Sequence, residues 1–246
     1  MNSNPLLTIN ELNELLEIIH SLVGVENIAQ FKNIAYSLKE LVACENIIFG
    51  VPPVNSGESL AVNDLNINYP QEWVSLYQSN EFWRIDPVVL AAMEQHCPQH
   101  WSDIYRKFPP DKKFLSLAHD FGLKDGCTCL AIGGSHQKWT IISVGGKLKK
   151  EKKKTEYIFE RLSPHFHIAL SSLKVRNDEK KLHDLTNRER EVLKWLSYGK
   201  TSWEISVILN VAEATVNFHV KNITAKLNVV GRSHAVAVAV HGGLRI

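Results

Sequence analysis

Four aromatic residues, Tyr69, Trp73, Tyr77 and Trp101, surround one acid, Asp86, in a stretch that can do specific chemistry. An ionised carboxylate only accepts hydrogen bonds, an indole N–H only donates, and a phenol does both. Such a set suits a small ligand with a polar head more than it suits catalysis. The sequence contains no nucleophile elbow, P-loop or dinucleotide fingerprint. Lys39, Glu40 and Glu45 form no catalytic cluster, and His165 and His167 have no second ligand at i, i+4. No enzyme activity, metal or cofactor is therefore expected. Each residue also has a plainer reading. The aromatics read equally as core residues, and Asp86 before Pro87 reads as the cap of a helix that starts with proline. Cys127 and Cys129 fall on one side of a strand and read as buried thiols.

A second group of polar and basic residues lies near the C-terminus: Lys200, Thr201, Thr215, Asn217, Lys221, Asn222 and Lys226. Lysines neutralise phosphates, and short polar side chains read base edges. Charge supports this division of labour. Residues 1–173 hold 16 Lys+Arg against 19 Asp+Glu, and residues 174–246 hold 12 against 7. The back is thus basic and suited to an acidic partner, although a solvated basic face would look the same.

The elements that must position the C-terminal group can be read from capping and period. Thr186-x-x-Glu189 and Thr201-x-x-Glu204 are capping boxes that start two helices. The first turns Val192, Leu193, Trp195 and Leu196 inward; the second has Trp203, Ile205, Val207, Ile208 and Leu209 as its apolar positions. After a three-residue turn, Val216, Val220, Ile223 and Leu227 repeat at helical spacing and leave Glu213, Thr215, Asn217, Lys221 and Lys226 opposite. A fourth helix ends at Gly242 and Gly243. This is an all-α helix-turn-helix arrangement, with a plain helical bundle as the alternative.

The front mixes helix and strand. Residues 8–23, 28–43, 71–79, 87–95 and 112–121 have helical spacing. Residues 45–51, 65–70, 126–134 and 139–146 read as strands, with turns at 52–57 and at Gly133, Gly134 and Ser135. The lysine-rich run 147–156 reads as an exposed strand-to-helix connection, and the helix after it is kinked or begun near Pro164. The expected fold is an α+β domain, an antiparallel sheet with helices on both faces in an α-β-α sandwich. Residues 174–184 read as a linker or frayed helix end, which gives domains at 1–173 and 185–246. Four cysteines, no secretory leader and no apolar run long enough for a membrane span suggest a cytoplasmic protein with no membrane partner.

Residues 185–246 resemble the DNA-binding domain of LuxR-type transcription regulators. The resemblance is carried by Leu185, Thr186, Arg188, Glu189, Val192, Leu193, Gly199, Lys200, Glu204, Ile205, Val216, His219, Lys226 and Leu227. In the front, Tyr69-Pro70-x-x-Trp73-x-x-x-Tyr77, then Phe82-Trp83-x-x-Asp86-Pro87-Val88, then Trp101 and Gly126, resemble the autoinducer-binding domain of the LuxR-type quorum-sensing receptors over roughly residues 15–172. The family's ligands are N-acyl-homoserine lactones.

The resemblance implies roles that the chemistry of the groups supports. Asp86 would accept the ligand's amide N–H, Trp73 would donate to the lactone carbonyl, and Tyr69 would donate to the acyl carbonyl. Trp101 would pack on the lactone ring. Tyr77, Val88, Phe114, Ala118 and Leu123 would line the cavity, with Ser143 and Thr128 adding hydroxyls. On the second helix of the C-terminal pair, Asn217 and Lys221 would reach bases and Thr215 the backbone. Several family members carry Arg where Asn217 stands, and Asn favours adenine where Arg favours guanine. The resemblance further implies a homodimer on double-stranded promoter DNA, joined through the helix at 156–173 and through Ala235, Val236 and Ala239. Activation by contact with RNA polymerase is implied, with repression as the other sign. A receptor for a different small molecule, or one that binds DNA without ligand, is the rival within the family.

Overall fold

Thr8 opens the first helix, α1 (Ile9–Val23), by a capping box: its hydroxyl accepts from Glu11 N, and Glu11 Oε2 accepts from Thr8 N at 2.9 Å. The computed structural model describes residues 6–50, 65–132 and 139–242. They divide into two units, Met1–Leu170 and Ser171–Ile246. In the first unit α1 and α2 (Ile28–Val42) precede β1 (Asn46–Gly50). Then come α3 (Gln71–Ser79), a 3-10 turn at Phe82–Arg84, α4 (Pro87–Glu94), β2 (Gln99–His100), α5 (Trp101–Lys107) and α6 (Lys112–Asp120). The hairpin strands β3 (Gly126–Ile132) and β4 (Trp139–Gly145) lead to α7 (Lys152–His183). The unit boundary falls within α7, whose range takes in most of the segment read as a linker.

The sheet order is β1-β4-β3-β2, antiparallel throughout. Alternation along each strand divides its side chains between two cores. Ile47 and Phe49 turn to one face, where the Phe49 ring lies 5.0 Å from Phe31 of α2 and 5.1 Å from Phe166 of α7. Cys129 shares that face and reaches Ser163 of α7 at 3.6 Å. Ile48, Gly50, Thr128, Leu130, Ile141 and Ser143 turn to the other face, beneath α3 to α6. Six of the seven β3 residues are buried, because helices cover both sides. The α-β-α architecture is thus as the pattern of elements implied.

Three local readings change. Residues 65–70 form no strand; Asn66 makes an isolated bridge to Ile48. Backbone bonds from Phe49 N to Leu65 O and from Asn68 N to Ile47 O remain, and asparagine side chains supply the rest: Asn68 accepts from Ile47 N at 2.9 Å and donates to Glu45 O at 2.8 Å, and Asn66 accepts from Tyr69 N at 2.8 Å. The fourth strand is instead Gln99–His100, too short to show a period. The lysine run also does more than connect. Lys150 and Lys154 both pair with Glu11 of α1, the latter at 2.8 Å, and Lys152 pairs with Asp103 of α5 at 2.9 Å. Its α7 portion begins at Lys152, so Pro164 lies inside the helix. The readings at 52–57, at 133–135 and at Gly243 lie outside the described residues.

The second unit holds α8 (Asn187–Ser197), α9 (Ser202–Leu209), α10 (Glu213–Leu227) and α11 (Arg232–His241). Both expected capping boxes form. Asn210 (φ 50°) and Asn228 (φ 53°) take the left-handed conformation that ends α9 and α10, which asparagine tolerates better than most residues. Val192, Leu193, Ile205, Val216, Ile223 and Leu227 are buried in one core. The apolar side chains of this unit do not all turn inward. Trp203 and Val207 are 63% and 62% exposed and Ile208 is exposed too, because α9 is only eight residues long and turns just one side inward. Ala235 and Ala239 are buried in the unit's own core, so Ala237 and Val240 face outward in their place.

Among the described residues, no helix is long and apolar enough to cross a membrane. Phe166 has no exposed surface and touches both Phe31 and Phe49. Phe166→Ala should lower stability by about 3–5 kcal/mol, read from urea unfolding; a loss below about 1 kcal/mol would remove this cluster as the core of the first unit.

Candidate functional site

Asp86 caps a helix and also lines a cavity. It is the N-cap of α4, with Oδ1 accepting from Val88 N at 2.8 Å, and Pro87 follows at the first helical position. Its Oδ2 accepts from the Tyr77 hydroxyl at 2.9 Å. The side chain is buried and lines a cavity. Burial pushes its carboxyl from the usual 3.8 up to about 6, against the pull of the Val88 N–H, the Tyr77 hydroxyl and the Val89 N–H. The same burial, with the Asp86 charge next to it, pushes the Tyr77 phenol up.

The cavity is about 90 Å³, several times what one water needs. Its walls are set by chain geometry. Tyr69, Trp73 and Tyr77 recur every four residues, bringing one face of α3 and its lead-in over the sheet. Trp73 lies near-parallel to Phe82 at 6.1 Å and meets Tyr77 and Phe114 at 5.7 and 5.9 Å. Its indole N–H makes no hydrogen bond to a described residue. Tyr69 Oη is buried and also lacks a hydrogen-bond partner among the described residues, although the Ser143 hydroxyl is close enough to act on it. Burial pushes its phenol up. An unpaired buried hydroxyl is costly, so both groups are suited to a ligand.

Ten of the eleven expected residues line the cavity: Tyr69, Trp73, Tyr77, Asp86, Val88, Trp101, Phe114, Ala118, Leu123 and Ser143. Thr128 is not among the lining residues. Its Oγ1 accepts from the Trp101 indole at 2.8 Å and is hydrogen-bonded to Ser143 Oγ. Sequence reasoning missed Ile48, Gly50, Val74, Gln78, Val89, Tyr105 and Ile141. Period from a residue already named could have found two of them, and a third follows from Val74. Ile141 is two residues before Ser143 on one strand face, Gln78 is four from Val74, and Tyr105 is four from Trp101 on one helix.

Two glycines make room for the aromatic wall. Gly126 and Gly145 are cross-strand partners. A Cβ on Gly126 would collide with Val144 O and with the Trp101 ring, and one on Gly145 would lie 2.7 Å from Tyr69 Oη and 2.9 Å from Trp101. The indole therefore rests directly on bare backbone. This supplies the physical reason for a glycine at 126.

The polar group in the second unit is divided. Thr215, Asn217 and Lys221 are exposed on α10, and Lys221 has no ion-pair partner among the described residues. Asn222 is half-buried. Lys226 instead reaches Glu189 at 2.7 Å, a carboxylate that is only 3% exposed and also accepts from Thr186 N. Lys200 pairs with Glu204 at 3.1 Å, and the Thr201 side chain is engaged in capping. Among the described residues, no group of His, Cys, Asp and Glu is placed to hold a metal. Burial pushes both strand thiols up, that of Cys129 to about 11.

Residues 27–170 match the family model of the autoinducer binding domain, and residues 183–239 match that of the bacterial regulatory proteins of the luxR family. The transcriptional activator VanR of Vibrio anguillarum is 28% identical, covering 94% of this chain and 97% of its own. The quorum sensing-dependent transcriptional regulator RpaR of Rhodopseudomonas palustris is 33% identical over 80% of this chain and 81% of its own. The structure of SdiA in complex with octanoyl-rac-glycerol shares the fold, with TM-score 0.57 and 22% identity over 97% of this chain and 98% of that one.

The glycine pair generates a direct test. Gly126→Ala should destabilise the first unit by about 1–3 kcal/mol and change the fluorescence of the buried indole. An unaltered unfolding midpoint would mean that Trp101 does not rest on the strand.

Proposed function

The chain belongs to the LuxR family of DNA-binding transcription regulators, with an autoinducer-binding domain in front of its helix-turn-helix domain, and we propose that its signal is an N-acyl-homoserine lactone. The observation that carries this reading is Asp86, a buried carboxylate on the wall of an apolar cavity with spare acceptor capacity. An acyl-homoserine lactone brings one amide N–H to that acceptor, two carbonyls to the donors of Trp73 and Tyr69, and an apolar tail to Val88, Phe114, Ala118 and Leu123. A ligand that binds only the folded state stabilises it by mass action. The ligand thus favours the folded receptor. Two copies would set two α10 helices into successive major grooves, about 34 Å apart on the duplex. The relatives' names support an activator; that it acts in the cytoplasm through contact with RNA polymerase at promoter DNA is part of the same proposal.

SdiA with octanoyl-rac-glycerol supports one second reading, a receptor for a different molecule with an apolar tail. Glycerol hydroxyls can also donate to a carboxylate. Thermal shift against acyl lactones and monoacylglycerols separates the two, since only the true class raises the midpoint of the wild type and not of Asp86→Ala.

Proton linkage provides a sharper test. The amide N–H of a ligand favours the ionised carboxylate, so lactone affinity should rise from pH 5 to about pH 7 as Asp86 loses its proton near pH 6. Folding of the ligand-free chain runs the other way. The Asp86 carboxyl is raised in the folded state, so its contribution is full below about pH 4 and is lost as pH rises through about 6. Asp86→Asn should weaken binding by about tenfold or more and flatten the pH profile, as measured by calorimetry. Equal affinity at pH 5 and 7 in the wild type would contradict the assignment.

The lysines of α10 should also separate. Lys221→Ala should weaken promoter binding and reduce the salt slope by about one, with unfolding unchanged. Lys226→Met, which strands the buried Glu189, should cost about 1–2 kcal/mol of stability. Full promoter affinity in Lys221→Ala would remove that residue from the interface.

A further inference from the structure

We propose that Thr128 is a positioning residue: it does not touch the ligand but fixes the Ser143 hydroxyl as a hydrogen-bond donor toward the cavity. The inference rests on the acyl-lactone reading of that cavity. The Trp101 indole N–H lies 2.8 Å from Thr128 Oγ1, and an indole can only donate, so Thr128 accepts. Thr128 keeps its own proton, and Ser143 Oγ is the acceptor it meets among the described residues. If Ser143 donated instead, the Thr128 proton would be stranded on a residue with no exposed surface. The chain therefore runs from Trp101 to Thr128 to Ser143. It leaves Ser143 with one proton at the cavity wall, beside the Tyr69 hydroxyl, which has no geometric hydrogen-bond partner among the described residues.

Two O–H groups thus meet at one corner. Even if one bonds to the other, a proton remains that needs an acceptor. A carbonyl oxygen with two lone pairs satisfies this corner, and an amide N–H does not. Asp86 is the acceptor-only group of the same cavity. Its polarity therefore orients the ligand amide one way, carbonyl to Ser143 and Tyr69, N–H to Asp86. Thr128 enforces this orientation from behind the wall.

The test is calorimetric binding of octanoyl-homoserine lactone, with the butanoyl and dodecanoyl homologues, to the full chain. Thr128→Val and Ser143→Ala should each weaken binding by about three- to tenfold. The double variant should bind no more weakly than Ser143→Ala alone, and Thr128→Ser should restore affinity. Wild-type affinity in Thr128→Val, or losses that multiply in the double variant, would overturn the proposal. A second arm reads the Trp101 indole N–H by NMR with labelled tryptophan, assigned through Trp101→Phe. Its resonance should move in Thr128→Val and stay in Thr128→Ser; Thr128→Ala serves if the valine variant does not fold. If the wild type binds none of these lactones, the acyl-lactone reading fails. The indole resonance then decides the relay: an unmoved signal in Thr128→Val overturns it, and a moved one supports it.

Discussion

A carboxylate removed from water must be compensated by donors, and the first unit is arranged around that requirement at Asp86. Three donors act on it, the Val88 amide and the Tyr77 hydroxyl and, more weakly, the Val89 amide. They do not exhaust a carboxylate, which can accept about four hydrogen bonds. The carboxyl responds by holding its proton up to about pH 6. The group is therefore a poor one for stability and a good one for recognition. It ties the helix start of α4 to the cavity wall, so whatever engages Asp86 also engages the scaffold.

The other polar groups around the cavity follow the same logic from the donor side. Tyr69 is left without a described partner, and Trp101 is satisfied through Thr128. Burial that leaves one hydroxyl unpaired while pairing its neighbour is an economical way to mark where a ligand atom belongs. The backbone contributes by omission: glycines at 126 and 145 let the indole and the phenol settle on the strands. In the second unit the buried charge is instead fully answered. Glu189 has Lys226 and the Thr186 amide, so that pair supports the helices and leaves α10 to present Asn217 and Lys221.

Much of this was legible in the sequence. Helix boundaries at 71–79 and 112–121 matched within a residue, the first because Pro70 precedes a periodic run and the second because the Asp111 cap and the period agree. Thr186-x-x-Glu189 and Thr201-x-x-Glu204 announced their helices for the same reason. Ten cavity residues were named from the aromatic and acidic spacing and the family resemblance together. What stayed hidden depends on tertiary pairing. Gln99–His100 is a strand only because β3 offers it an edge. Residues 65–70 have strand-like composition, but asparagine side chains take over part of the hydrogen bonding to β1 and leave only two backbone bonds there among the described residues. The fate of a lysine is equally nonlocal: nothing in the order of residues separates Lys226, held by Glu189, from the exposed Lys221.

The most direct measurement is a crystal structure of the full chain grown with octanoyl-homoserine lactone. The account requires the ligand amide nitrogen within hydrogen-bond distance of an Asp86 carboxylate oxygen and the acyl carbonyl at Ser143 and Tyr69. Ligand bound with its amide turned away from Asp86, or bound elsewhere on the chain, would contradict it.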